Sequence, residues 1–350
     1  MNVIKMNNIK VIVFALLLIS FITYQTNISF INHSINVYHI NSSINKAINF
    51  LYENQLDYGE FKTLACTDIY MQNCYFDSSP FITTFVLYSI KDIKDKKVEI
   101  MTNKAIDFLL DEKESGGIWR FWTSRNTQTI PPDLDDISTI SFILKFNNIS
   151  FDNNLELISD NKNNDNLFFT WITDRKNKED VCCFMNKTFK NDVDCLVNSN
   201  VLLYLGQNDP YVCSYINNAI IFNKTCSLYY YPNALALFYM VSRAFENNVT
   251  CFKEAKNKIT TTILNYQNKD GSFGSDLDTA FALNSLLNFN YVGNAIDLGI
   301  SSLLKNQFLN GSWKKSYFFI EPARQLYFGS EELTTALVIE AMKKYVENNK

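Results

Sequence analysis

Histidine is nearly missing from this sequence. Of 350 residues only His33 and His39 are histidine, so none is available to a metal centre or a proton relay after residue 39. Glycine (10 residues) and proline (6) are scarce as well, and no linker rich in Gly, Pro or Ser breaks the chain, which predicts one domain over residues 43–349. There is no basic excess: a formal net charge of −4 argues against nucleic acid as a partner. Long apolar runs are lacking except one. "VIVFALLLISFITY", Val11–Tyr24, follows Lys5 and Lys10 without an interrupting charge, as a targeting segment does. It is shorter than the roughly 20 residues of a comfortable membrane span, which favours a signal peptide, whereas the want of an A-x-A-like site favours an uncleaved anchor. Residues 1–30 are read as a signal peptide or signal anchor and 31–42 as a linker, with the domain membrane-anchored or secreted on the outer or lumenal side.

What is plentiful is apolar and aromatic: 47% of residues are hydrophobic and 15% aromatic, enough for one large core. In an oxidising compartment the eight cysteines can pair, but the sequence cannot choose among the connectivities.

Four segments repeat one pattern: "KAINFLYENQ" from Lys46, "KAIDFLLDEK" from Lys104, "KITTTILNYQ" from Lys258 and "LGISSLLKNQ" from Leu298. Apolar residues recur in each at three- and four-residue steps, which predicts helices with a single buried face. A glycine and an aromatic follow each copy, at Gly59/Phe61, Gly116/Trp119, Gly271/Phe273 and Gly311/Trp313. The glycine is expected to end the helix in a left-handed conformation and the ring to pack back over the helix end. A second kind of helix, apolar nearly all round, is predicted from Ser79, Asp136, Cys195, Asn233, Asp278 and Leu333. Such helices are enclosed on every side. The expected fold is all-α: six helical hairpins forming an inner and an outer ring, with poorly fitting outer helices around 155–167 and 211–222.

Acidic residues recur where the inner helices begin: Asp77, the Asp133, Asp135 and Asp136 cluster, Asp192 and Asp194, Asp276 and Asp278, Glu331 and Glu332. Helix capping accounts for most of them, at roughly 0.5–2 kcal/mol each. The cluster in "PPDLDDIS" holds more charge than a cap needs.

The helix-Gly-x-aromatic repeat resembles the QW motif of terpenoid cyclases and protein prenyltransferases, which fold as α/α toroids. "GGIWRF", Gly116–Phe121, a loop, and "PDLDD", Pro132–Asp136, resemble the squalene–hopene cyclase pattern around its D-x-D-D motif. The resemblance implies a class II cyclase: Asp135 donates a proton to an isoprenoid double bond, with Asp133 and Asp136 in support. An isolated alkene is a very poor base, so its acid must sit in a dry apolar pocket, and closely held carboxyls cannot all ionise at once. That chemistry calls for no metal and no cofactor. Rings facing the carbocation, worth about 2 kcal/mol or more when desolvated, are expected from Trp119, Phe121, Trp122 and the run Tyr229, Tyr230 and Tyr231 on mouth-facing loops. Squalene–hopene cyclases polarise the acidic Asp with a histidine, for which Arg120, Arg125 or a water would stand in here. They also react between two toroidal domains, so the pocket of this single one is expected to be open, closed by a second copy of the chain, or closed by the membrane, which the N-terminal segment engages. A zinc site from Cys182, Cys183 and Cys195 would lack the histidine of the related zinc enzymes. Two other functions share the fold: a carbohydrate-active enzyme with paired carboxylates, and a non-catalytic membrane-tethered binding module.

Overall fold

A computed structural model of the chain describes residues 37–127, 130–173, 191–226, 229–321 and 323–349. The apolar run Val11–Tyr24, and with it the signal or anchor expected over 1–30, lies outside these residues, as do Cys182 and Cys183. Among the described residues no helix is long and apolar enough to cross a membrane. The chain divides into two compact units, Met1–Asn45 and Lys46–Lys350. In the first, residues 37–45 are helical, so the linker expected over 31–42 is helical from 37 onward.

The second unit begins with α1 (residues 46–54) and continues with α2 (Pro80–Ile90), α3 (Lys96–Asp111), α4 (Leu134–Phe146), α5 (Leu155–Asp160) and α6 (Cys195–Leu205). Then come α7 (Pro210–Ile221), α8 (Ala234–Glu246), α9 (Lys253–Tyr266), α10 (Asp276–Asn288), α11 (Asn294–Asn306) and α12 (Glu331–Asn348). The even-numbered helices from α2 to α12 each pack on the next, and α12 packs on α2, so the inner ring closes. Every residue of α2 is buried, as its lack of a polar face requires. The odd-numbered helices are amphipathic and lie outside; α5, where the pattern is poorest, has only six residues.

The repeat also closes the outer ring, by contacts between one repeat and the next. Trp119 Nε1 donates to the carbonyl of Leu109 at 2.7 Å and Trp313 Nε1 to that of Leu303 at 2.7 Å, so the tryptophans staple back over α3 and α11 as expected. The glycines act across the repeat boundary. Gly59 (φ 105°) sits so close to α3 that a Cβ would meet the Lys104 carbonyl at 2.0 Å. Gly311 (φ 93°) approaches Lys46 of α1 in the same way, with 2.3 Å left for a Cβ. The glutamines after α1 and α9 bridge as well: Gln55 Nε2 donates to the carbonyls of Gly59 and Met101, both at 2.9 Å, and Gln267 Nε2 to those of Gly271 at 3.0 Å and Ala295 at 2.8 Å.

The all-α expectation needs one correction. Strands β1 (Leu64–Cys66), β2 (Cys74–Phe76), β3 (Phe319–Glu321) and β4 (Leu326–Gly329) form an antiparallel sheet in the order β2-β1-β4-β3. It joins the loop entering α2 to the loop entering α12 by the pairs Leu64↔Gly329, Ala65↔Phe328 and Cys66↔Tyr327. The disulfide Cys66–Cys74 sits on the paired position of β1 and β2. With three or four residues each, these strands carry too little alternation to be told from loop.

Candidate active site

Asp133 caps α4: its Oδ1 accepts from the Asp136 N–H at 2.8 Å, so capping does hold for this residue. The first helical turn then turns Asp135 and Asp136 into the protein, and all three carboxyls are buried. An isolated bridge pairs Asp133 with Trp171, and the Leu134 N–H donates to the Thr170 carbonyl at 2.8 Å, which brings the loop before α6 against the cluster.

The three acids differ in their partners. Burial, reinforced by the charge of Asp135, pushes Asp133 up to about 7. Burial and the charge of Asp133 hold Asp136 well above the usual carboxylate range. Asp135 stands apart. Its Oδ1 accepts from Asn200 Nδ2 at 2.6 Å and its Oδ2 accepts from the Tyr231 hydroxyl. Behind Asn200 the buried guanidinium of Arg243 donates to Asn200 Oδ1 and lies 4.7 Å from the ring centres of Phe85 and Tyr88. Burial raises the Asp135 carboxyl, while Tyr231, Asn200 and the charge of Arg243 pull it back down. Burial favours the protonated form of this group, and the fixed donors wait for the anion that forms when the proton leaves.

These raised pKa values make stability depend on pH in a definite direction. A carboxyl whose folded pKa lies above its unfolded value binds more protons when folded, so its contribution is full below the unfolded pKa and is lost as pH rises through the folded one. For Asp133 that window runs from 3.8 to about 7. Asp133→Asn is therefore expected to lose less stability than the wild type between those limits, measured as the pH slope of the denaturant midpoint; equal slopes would contradict the shift.

Next to the acids is an apolar pocket of about 850 Å³, its open mouth included, at the end of the barrel where the inner helices begin. The loop before α4 contributes Phe121 and Trp122, the loop before α6 contributes Trp171, and the loop before α8 contributes Tyr229, Tyr230 and Tyr231. Phe319 and Phe328, a cross-strand pair stacked at 4.9 Å, bring the sheet over it, and the Phe121 ring meets both edge-on at 5.5 Å. The Ile320 N–H donates to the Tyr230 carbonyl at 2.8 Å, so the tyrosine loop continues the roof.

Of the expected residues, Asp133, Asp135, Asp136, Phe121, Trp122, Tyr229 and Tyr230 line this pocket together. Trp119 does not: it is wholly buried over the end of α3, used by its role as a staple. Arg120 pairs with Glu114 and Arg125 with Glu112, so neither serves Asp135. The residues that do, Asn200, Tyr231 and Arg243, include two polar side chains in mostly apolar helices, "CLVNSNVLLYL" and "ALALFYMVSRAFE". A buried arginine in such a helix is the signal that points to a charge partner inside the barrel. Cys195 is disulfide-bonded to Cys226, which removes it from any zinc site. The sheet covers part of this pocket from within the chain.

No protein-family model and no curated protein sequence matches the chain. Solved structures do. A variant of the type II terpene cyclase MstE from Scytonema, in complex with its substrate geranylgeranyl dihydroxybenzoate, is similar with a TM-score of 0.67 at 16% identity, over 90% of this chain and 99% of that one. Another MstE variant, in complex with the product merosterolic acid A, gives 0.68 at 15% identity over the same shares. The ent-copalyl diphosphate synthase from Streptomyces platensis gives 0.53 at 13% identity, over 76% of this chain and 50% of that one. This chain thus spans almost the whole of the MstE chain. By its two rings of helices and by these likenesses, the chain has an α/α-toroid fold similar to that of these solved structures.

Proposed function

We propose that the chain is a class II terpene cyclase-like enzyme, in which Asp135 starts the cyclisation or isomerisation of an isoprenoid by protonating one of its double bonds. One observation carries this reading: a buried carboxyl, with a fixed donor on each oxygen, lines a pocket walled by aromatic rings. The Asp135 proton passes to an alkene carbon and leaves a carbocation. A neighbouring double bond closes on that cation to make a ring, and a proton lost from the final cation restores neutrality. Tyr231 and Asn200 hold the Asp135 carboxylate in the meantime, and the faces of Phe121, Trp122, Tyr229 and Tyr230 supply cation–π attraction. Burial and mutual repulsion favour the protonated forms of Asp133 and Asp136, which limits the negative charge beside it.

The neighbours' ligands support a lipid-like substrate, since MstE is held with a prenylated substrate and with its product. Pocket character speaks against glycan chemistry: aromatic rings wall the space beside the buried acids, where a glycosidase keeps its two carboxylates along a polar groove. The three disulfides, Cys66–Cys74, Cys195–Cys226 and Cys213–Cys251, fit a place on the outer or lumenal side of a membrane that the N-terminal apolar run engages.

The test is a substrate panel. The oxidised protein is incubated with squalene and with geranylgeranyl chains bearing neutral, phenolic and diphosphate ends, and products are read by mass spectrometry. At least one cyclised or isomerised product is expected; none from any member, while bound oligosaccharides are cleaved, would replace this reading with the carbohydrate-active one.

A further inference from the structure

The two side chains that hold Asp135 come from different segments of chain, and one disulfide joins those segments. Asn200 lies in α6, five positions after Cys195, and Tyr231 lies in the loop before α8, five positions after Cys226. Cys195 and Cys226 are bonded to each other, and the Cys195 N–H donates to the Cys226 carbonyl at 2.9 Å. Residues 229–233 are non-helical, so the conformation of the tyrosine loop is fixed by its few tertiary ties rather than by a ladder of its own. Among those ties are the disulfide, the Ile320 bond to the Tyr230 carbonyl, the Trp171 Nε1 donation to the Tyr230 hydroxyl at 3.2 Å, the Tyr231 bond to Asp135 itself, the packing of the Tyr231 ring on Phe318 and Phe319, and the Asn233 cap of α8. The α6 side is rigid: Asp194 caps the helix, and Asn200 is locked from behind by Arg243.

We propose that the Cys195–Cys226 disulfide is a positioning element of the acid site: it fixes the tyrosine loop to α6, so that Tyr231 and Asn200 hold the two oxygens of Asp135 at the same time. Its effect on turnover rests on the function proposed above; its effect on the Asp135 carboxyl does not. Opening the bond frees one of the two donors. An anion less well held is a stronger base, so Asp135 keeps its proton to higher pH and gives it up less readily. A misplacement of this order at a reacting group costs on the order of 10²-fold in rate.

The comparison is between Cys195→Ser/Cys226→Ser and Cys213→Ser/Cys251→Ser. The second disulfide closes a loop of similar length, 38 residues against 31, but ties α7 to the turn after α8 and touches neither donor. The Asp135 carboxyl band, assigned by infrared difference against Asp135→Asn, is titrated in both variants and in the wild type. The proposal expects the midpoint to move to higher pH in Cys195→Ser/Cys226→Ser alone, with kcat down about 10²-fold and KM nearly unchanged. A midpoint and kcat that stay at the wild-type values, or that move equally in both variants, would overturn it. Should the first variant not fold, the wild type is reduced in steps and the opened cysteines are trapped and mapped. A band that shifts as Cys195–Cys226 opens supports the proposal, and a band unmoved after it has opened, with helicity retained, refutes it. If the band moves as expected while the wild type converts no isoprenoid, the positioning role stands and the proposed function falls.

Discussion

Asp135→Asn is expected to slow isoprenoid turnover by about 10²–10⁴-fold, the range that a positioned general acid contributes, with folding stability little changed. The structure explains why both effects belong to one substitution. Asn200 Oδ1 is occupied by Arg243, so its Nδ2 must face residue 135. An asparagine there would present its carbonyl to Asn200 and its amide to the Tyr231 hydroxyl, which can turn to accept. Shape and hydrogen bonds survive, and the acidic proton is gone. Turnover and thermal midpoint measured on the same preparation check this. Equal turnover in the two proteins, or loss of turnover only through unfolding, would remove Asp135 from the role assigned to it.

Tyr231→Phe removes one hydroxyl and leaves the ring, which packs on Phe318 at 5.4 Å and on Phe319 at 6.1 Å. The lost hydrogen bond is one to a charged group, worth about 1.5–3 kcal/mol, and it is strongest after the proton has left. If that energy is realised mainly in the transition state, kcat falls roughly 10- to 150-fold while KM stays near its wild-type value. The pH profile supplies a second readout. Tyr231 lowers the Asp135 pKa, so removing it raises that pKa. Asp135 must be protonated to act, hence the limb of the profile that falls with rising pH moves to higher pH although the maximum is lower. A limb displaced toward acid, or a change in KM alone, would mean that the Tyr231 hydroxyl binds substrate rather than the acid.

The two rings were legible because they rest on period. Helices with one buried face, helices with none, and a glycine before each aromatic are properties of ten to fifteen residues at a time, and α1, α3, α9 and α11 carry them in full. The acid cluster was legible for a different reason: adjacent carboxylates at a helix start are costly to bury, and Asp135 and Asp136 are both buried. What escaped depends on long-range contact. The sheet pairs segments more than 250 positions apart, Leu64 with Gly329, through strands too short to show alternation. Tyr231 and Asn200 lie 96 and 65 positions from Asp135, and only closure of the ring brings them to it. Trp119 and Trp122 show the limit from within one loop: three residues apart, one ring staples α3 while the other lines the pocket.

The central claim is that the Asp135 carboxyl delivers its proton to carbon. The most direct measurement is turnover in deuterium oxide of whichever isoprenoid the protein converts, after the carboxyls have exchanged. The account predicts one deuterium on a formerly alkene carbon of the wild-type product, and no labelled product above background from Asp135→Asn. A cyclised product carrying no deuterium, or equal labelling by both proteins, would contradict it.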